Sequence, residues 1–193
     1  MEHAVQEGKN GERGATLVEA AISYGLLMLA LFALVEFGLA FKDFLSVSNA
    51  TREGVRAGAA LGNDRHADIL ILRKVEESLG PVGLVSGSQV RVFNAVAPDV
   101  GTSYVYQPGT GCGSVGTLSL GGCCDWSPCP EPGRSSYVTP AWNPHIRDIS
   151  APVTDRLAVQ ITLTHQWLTG FFGATTDFTA TSRLQIEPQV FDS

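Results

Sequence analysis

Between Glu19 and Lys42 lie 22 residues that carry a single charge, Glu36. As a helix rising about 1.5 Å per residue, such a run spans roughly 33 Å, enough for a hydrocarbon core of about 30 Å. A secretory signal fits poorly: it needs a basic start, an apolar stretch of about 7–15 residues and a small-residue cleavage site at its far end. Here the apolar run is longer, and its far end, Glu36-Phe-Gly-Leu-Ala-Phe41, passes into Lys42 and Asp43 without a break. The run therefore reads as an uncleaved membrane anchor.

The chain has 193 residues. Setting aside leader and anchor leaves room for one modest domain, rich in loop because the chain carries 21 Gly and 10 Pro. A formal net charge of −6 argues against a nucleic-acid partner. The four cysteines, Cys112, Cys123, Cys124 and Cys129, share one 18-residue window beyond the anchor. An even, clustered set in a Gly/Pro-rich stretch suggests disulfides in an oxidising compartment, with three pairings open. Their spacing lacks the CxxC pair of structural zinc sites, so no metal is expected. Flanking charge is nearly balanced: Lys9, Arg13 and the amino terminus against Glu2, Glu7 and Glu12 on one side, Lys42, Arg52 and Arg56 on the other. The short leader and the position of the cysteines place the leader inside and the main domain outside the cytoplasm.

Beyond the anchor, residues 42–62 read as a helical extension free of proline. Ser46, Ala50, Gly54, Gly58 and Gly62 recur every fourth residue and form a helix-packing stripe of small side chains on one face. The stripe suits either a partner helix or this chain's own sheet. Asp64 is placed to cap a second, amphipathic helix, Arg65 to Leu79, with Ala67, Leu70, Ile71, Val75 and Leu79 inward, ended by Gly80-Pro81. Strands are predicted over Gln89–Ala97, Arg156–Trp167 and Thr176–Glu187 from period-two alternation. Leu168-Thr-Gly-Phe-Phe-Gly173 joins the last two as a hairpin. Phe171 and Phe172 there either fold onto the core or touch a membrane or partner. The stretch 98–155, with all the cysteines, reads as a long loop.

The fold class is thus α+β: an N-terminal transmembrane helix running into a small extracytoplasmic domain, with a second amphipathic helix and an antiparallel sheet of three or four strands. The domain plan is leader 1–14, transmembrane helix 15–41, extension 42–62 and α+β domain 63–193. No catalytic signature stands out. His3, His66, His145 and His165 are scattered, and Gly109-Thr-Gly-Cys-Gly113 lacks the lysine of a phosphate-binding loop. The chain reads as a non-enzyme without cofactor.

Glu12-Arg-Gly-Ala-Thr-Leu-Val-Glu19, the apolar run, Val35-Glu-Phe-Gly38, Asn49-Ala-Thr-Arg-Glu-Gly54 and Arg56-Ala-Gly58 together resemble the TadE-like family, pseudopilin-like proteins of Tad (Flp-type) pilus assembly. Arg183-Leu-Gln-Ile-Glu-Pro188 is similar to the ending of many members. The resemblance implies a single-pass protein of the bacterial inner membrane, cut by a prepilin peptidase between Gly14 and Ala15. It also implies a helper role in a type IV-like pilus or related secretion system, with other pilin-like or Tad assembly proteins as partners. Glu19 becomes the fifth residue of the mature chain. A carboxylate near the bilayer edge is costly unless paired, and in an assembling bundle Glu19 is expected to meet the new α-amine of a neighbour. The alternative from a different class is a membrane-anchored extracytoplasmic binding or adhesion module that keeps its leader.

Overall fold

The computed structural model describes residues 7–80, 84, 86–107, 125–132, 137–150 and 152–188. Helix α1, Glu7–Leu61, runs 55 residues, about 82 Å at helical rise. It has two regimes. From Gly14 to Val35 nearly every residue is exposed, including Leu17, Ile22, Leu27 and Leu34, and nothing among the described residues covers them. Glu36 is the first buried residue, and from there Ala40, Val47, Ala50, Gly54, Val55, Gly58 and Ala59 turn inward at helical spacing. The same helix is an apolar span in its first half and an amphipathic core helix in its second.

Gly62 ends α1 with a positive φ of 58°, and its N–H donates to Gly58 O. That is the left-handed turn glycine supplies without strain. Helix α2 follows as Ala67–Leu79. It starts two residues later than the Asp64 cap predicts, because the Asp64 carboxylate accepts from His66 N (2.7 Å) and closes a turn before the helix. Those bonds hold the Asp64 carboxyl below its usual range.

The sheet has five antiparallel strands in the order β3-β2-β1-β4-β5. Strand β1 is Gln89–Asn94, β2 Gly101–Tyr106, β3 Trp126–Ser127, β4 Arg156–Gln166 and β5 Thr175–Gln185. Three of the five were expected. β2, β3 and a short 3-10 turn, Pro144–Ile146, lie within the stretch read as loop. β2 exists because Val92 and Phe93 offer partners to Thr102 and Gly101. Gly101 is required there, since a Cβ would lie 2.2 Å from Phe93 Cβ.

Both helices cover one face. The core joins Val47, Ala50 and Val55 of α1 and Ile71, Leu72, Val75 and Leu79 of α2 to Val90, Val92, Tyr104, Leu157, Val159, Ile161 and Leu163 of the sheet. The far face of β4 and β5 is polar, with Gln160–Thr181, Thr162–Thr179 and Thr164–Asp177 side-chain hydrogen bonds across the pair. Ile186, wholly buried, and the bond from Glu187 N to Ala59 O tie the chain's end to the end of α1.

Candidate functional site

Gly14, Ala15 and Glu19 lie on the exposed first half of α1. The Gly14–Ala15 bond sits within continuous helix, and nothing approaches within 4 Å of where a Gly14 Cβ would be. Ala15 and Glu19, four residues apart, share a helix face one turn from each other. The Glu19 side chain is exposed and makes no hydrogen bond or ion pair among the described residues.

The second half of α1 is fixed by a collar of contacts from the β4–β5 hairpin. Glu36, 2% exposed, accepts from the backbone N–H of Thr169 through Oε1, and its Oε2 has no partner. Phe37 meets Phe172 (centroids 4.8 Å) and Trp167 (6.1 Å, edge-on). Two turns further, Asp43 Oδ2 and His165 Nδ1 are 2.7 Å apart, and Phe44 stands edge-on to Phe178. Ser182 donates to Thr51 at 3.1 Å. Reading the sequence alone missed Glu36 as an anchor point. The one charge in the apolar run was itself the signal, because a carboxylate there needs a donor.

Gly54 and Gly58 of the stripe face this chain's own core. A Cβ at Gly54 would lie 2.9 Å from Val75 Cγ2; at Gly58 it would lie 2.3 Å from Leu157 Cδ2 and 2.6 Å from Ile71 Cδ1. Ala50 is fully buried, and Gly62 serves as the helix terminus.

A polar cluster pins the long connection onto α2. Asp68 accepts from Tyr104 Oη (2.6 Å) and from Arg147 Nη2. The Arg147 guanidinium lies 4.6 Å over the Trp142 ring, and its Nε and Nη1 have no partner among the described residues. Burial, with the Asp68 charge, pushes the Tyr104 hydroxyl far above its ordinary range. Nearby, Glu76 accepts from Trp126 Nε1 (2.7 Å), and burial pushes its carboxyl up. Asp68 sits on the apolar face of α2 with Ile71, Leu72 and Val75, and an acid in such a position signals a buried partner.

Of the four cysteines expected to pair, Cys129 is a buried free thiol in this structure, bridged through its backbone to Tyr137. It fills its place as a small apolar side chain does. Cys112, Cys123 and Cys124 lie outside the described residues. Among the described residues no group of three His, Cys, Asp or Glu side chains is set to hold a metal.

Residues 14–56 match the family model described as TadE-like protein. The match covers the exposed apolar span, Gly14, Glu19 and the stripe as far as Gly54, and ends before α2 and the sheet. No curated protein and no solved structure matches the chain. The N-terminal region is thus TadE-like, on a helix long and apolar enough to cross a membrane.

Proposed function

We propose that the protein is a minor pseudopilin-like component that assists assembly of a Tad (Flp-type) pilus or a related secretion system. It is held by α1 in the bacterial inner membrane with its α+β domain outside the cytoplasm. One observation carries this reading: the TadE-like match, residues 14–56, takes in the whole stretch of α1, Gly14 to Val35, that the described residues leave uncovered. A bare apolar helix in lipid associates through packing and polar contacts with other helices. Its partners are then other pilin-like subunits, and a prepilin peptidase acts on it first.

Processing tests the reading directly. Co-expressed with a cognate prepilin peptidase, the chain should lose Met1 to Gly14 and begin at Ala15, as read by intact mass of the membrane fraction. Gly14→Lys should abolish the cut. A chain that keeps its leader beside an active peptidase would overturn the processing step and favour the anchored binding module.

Glu19 tests the assembly step. The new amine at Ala15 lies one turn from Glu19 in the same chain, so intrachain and interchain pairs compete; only the second sets register between subunits. Glu19→Ala makes the span more apolar and should insert at least as well. It should nevertheless lose cross-links from the apolar segment to pilin-like subunits and reduce surface fibres counted by electron microscopy. Normal cleavage, cross-links and fibre numbers in this variant would reduce Glu19 to an interfacial acid.

A further inference from the structure

We propose that the tip of the β4–β5 hairpin, Trp167–Gly173, is a second membrane contact, seated in the outer lipid interface beside α1. This rests on the reading of α1 as a membrane span. From Ala15 to Val35 that helix covers about 31 Å, the thickness of a hydrocarbon core. Glu36 and Phe37 come next, and both are held by the hairpin tip. The tip therefore stands at the level where the span ends, not in bulk solvent above it.

Its chemistry fits lipid. Residues 166–176, Gln-Trp-Leu-Thr-Gly-Phe-Phe-Gly-Ala-Thr-Thr, hold no charge. Phe172 folds halfway back onto Phe37, at 46% exposed, but Leu168 and Phe171 are each 72% exposed. Trp167 turns its ring to this cluster while Nε1 donates to Thr176 Oγ1 (2.9 Å). Aromatic residues with one polar end concentrate where hydrocarbon meets headgroups.

Hydrogen bonds fix the shape of the tip: Trp167 N donates to Ala174 O, Thr169 N to Glu36 and Gly173 N to Gly170 O. Gly170 and Gly173, at φ of 73° and 104°, give the reversals that place both aromatics at the tip. An uncharged tip with Leu168 and Phe171 exposed, held at the level where the span ends, fits the lipid interface as its occupant. With two points of contact, helix and tip, the domain holds a set orientation on the bilayer instead of swivelling about α1.

The test uses the full chain in phosphatidylethanolamine–phosphatidylglycerol liposomes, with benzoylphenylalanine placed singly at 171, at 27 in the span, and at 153, an exposed site at the far end of β4. After irradiation, adducts are identified by mass. Position 171 should give phospholipid adducts at least tenfold above position 153 and comparable to position 27. Lipid labelling at 27 with only background or protein adducts at 171 would overturn the tip contact alone. Absence of lipid adducts at 27 would overturn the span, and the tip contact with it.

Discussion

Asp68→Ala should destabilise the domain by about 3–5 kcal/mol, the usual cost of stripping one partner from a buried ion pair. In detergent micelles this should lower Tm by roughly 10 °C or more. The size follows from what remains: Arg147 has no side-chain exposure, its Nε and Nη1 already lack partners, and Asp68 is its carboxylate. Once Asp68 is gone, Nη2 keeps only a long contact, 3.4 Å, to Trp142 O. Tyr104 also loses its acceptor. Tyr104→Phe removes one hydrogen bond and should cost about 1–2 kcal/mol. The double variant Asp68→Leu/Arg147→Met, which leaves no buried charge, should recover most of the loss. If Asp68→Ala melts within a degree or two of the parent, the cluster is not what holds residues 137–150 to α2.

That cluster also marks where sequence reasoning ran short. The long helix, the α+β class and the β4–β5 pair were legible because each carries a period: an unbroken apolar run, then Leu157, Val159, Ile161 and Leu163 against Gln160, Thr162 and Thr164. β2 carries a weaker version, Thr102, Tyr104 and Tyr106 alternating with Ser103 and Val105, and passed for loop because Gly101 and Pro98 flank it. β3 is two residues long and exists only by pairing with Val105 and Tyr106. Asp68 and Arg147 are 79 positions apart, and no local pattern links them. Glu36 and Thr169 meet across 133 positions. The TadE-like resemblance, by contrast, rests on residues that lie within one helix, 14–56.

Gly58→Leu should be the most damaging change in α1 outside the span, and it decides what the glycine stripe is for. Even the first added carbon lands 2.3 Å from Leu157 Cδ2 and within 3 Å of two Ile71 atoms, and both side chains are fully buried. Overpacking of this kind costs about 1–3 kcal/mol, and a leucine with no space at all should reach roughly 3 kcal/mol or more. The better helix propensity of leucine offsets under 1 kcal/mol of that. Gly54→Ala meets only Val75 Cγ2 at 2.9 Å, so a milder loss is expected. Gly38→Ala, in open space, should melt no lower than the parent. The purified chain alone is the right object, because the two uses of the stripe separate there. A stripe closed on this chain's own α2 and β4 lowers the melting temperature with no partner present. A seam reserved for a partner helix would leave the isolated chain's melt unchanged and fail only in cross-linking to other subunits. The glycines at 54 and 58 lie well past the exposed apolar run, pressed on Ile71, Val75, Leu157 and Val159. The loss is therefore expected in the isolated chain, with no partner helix present.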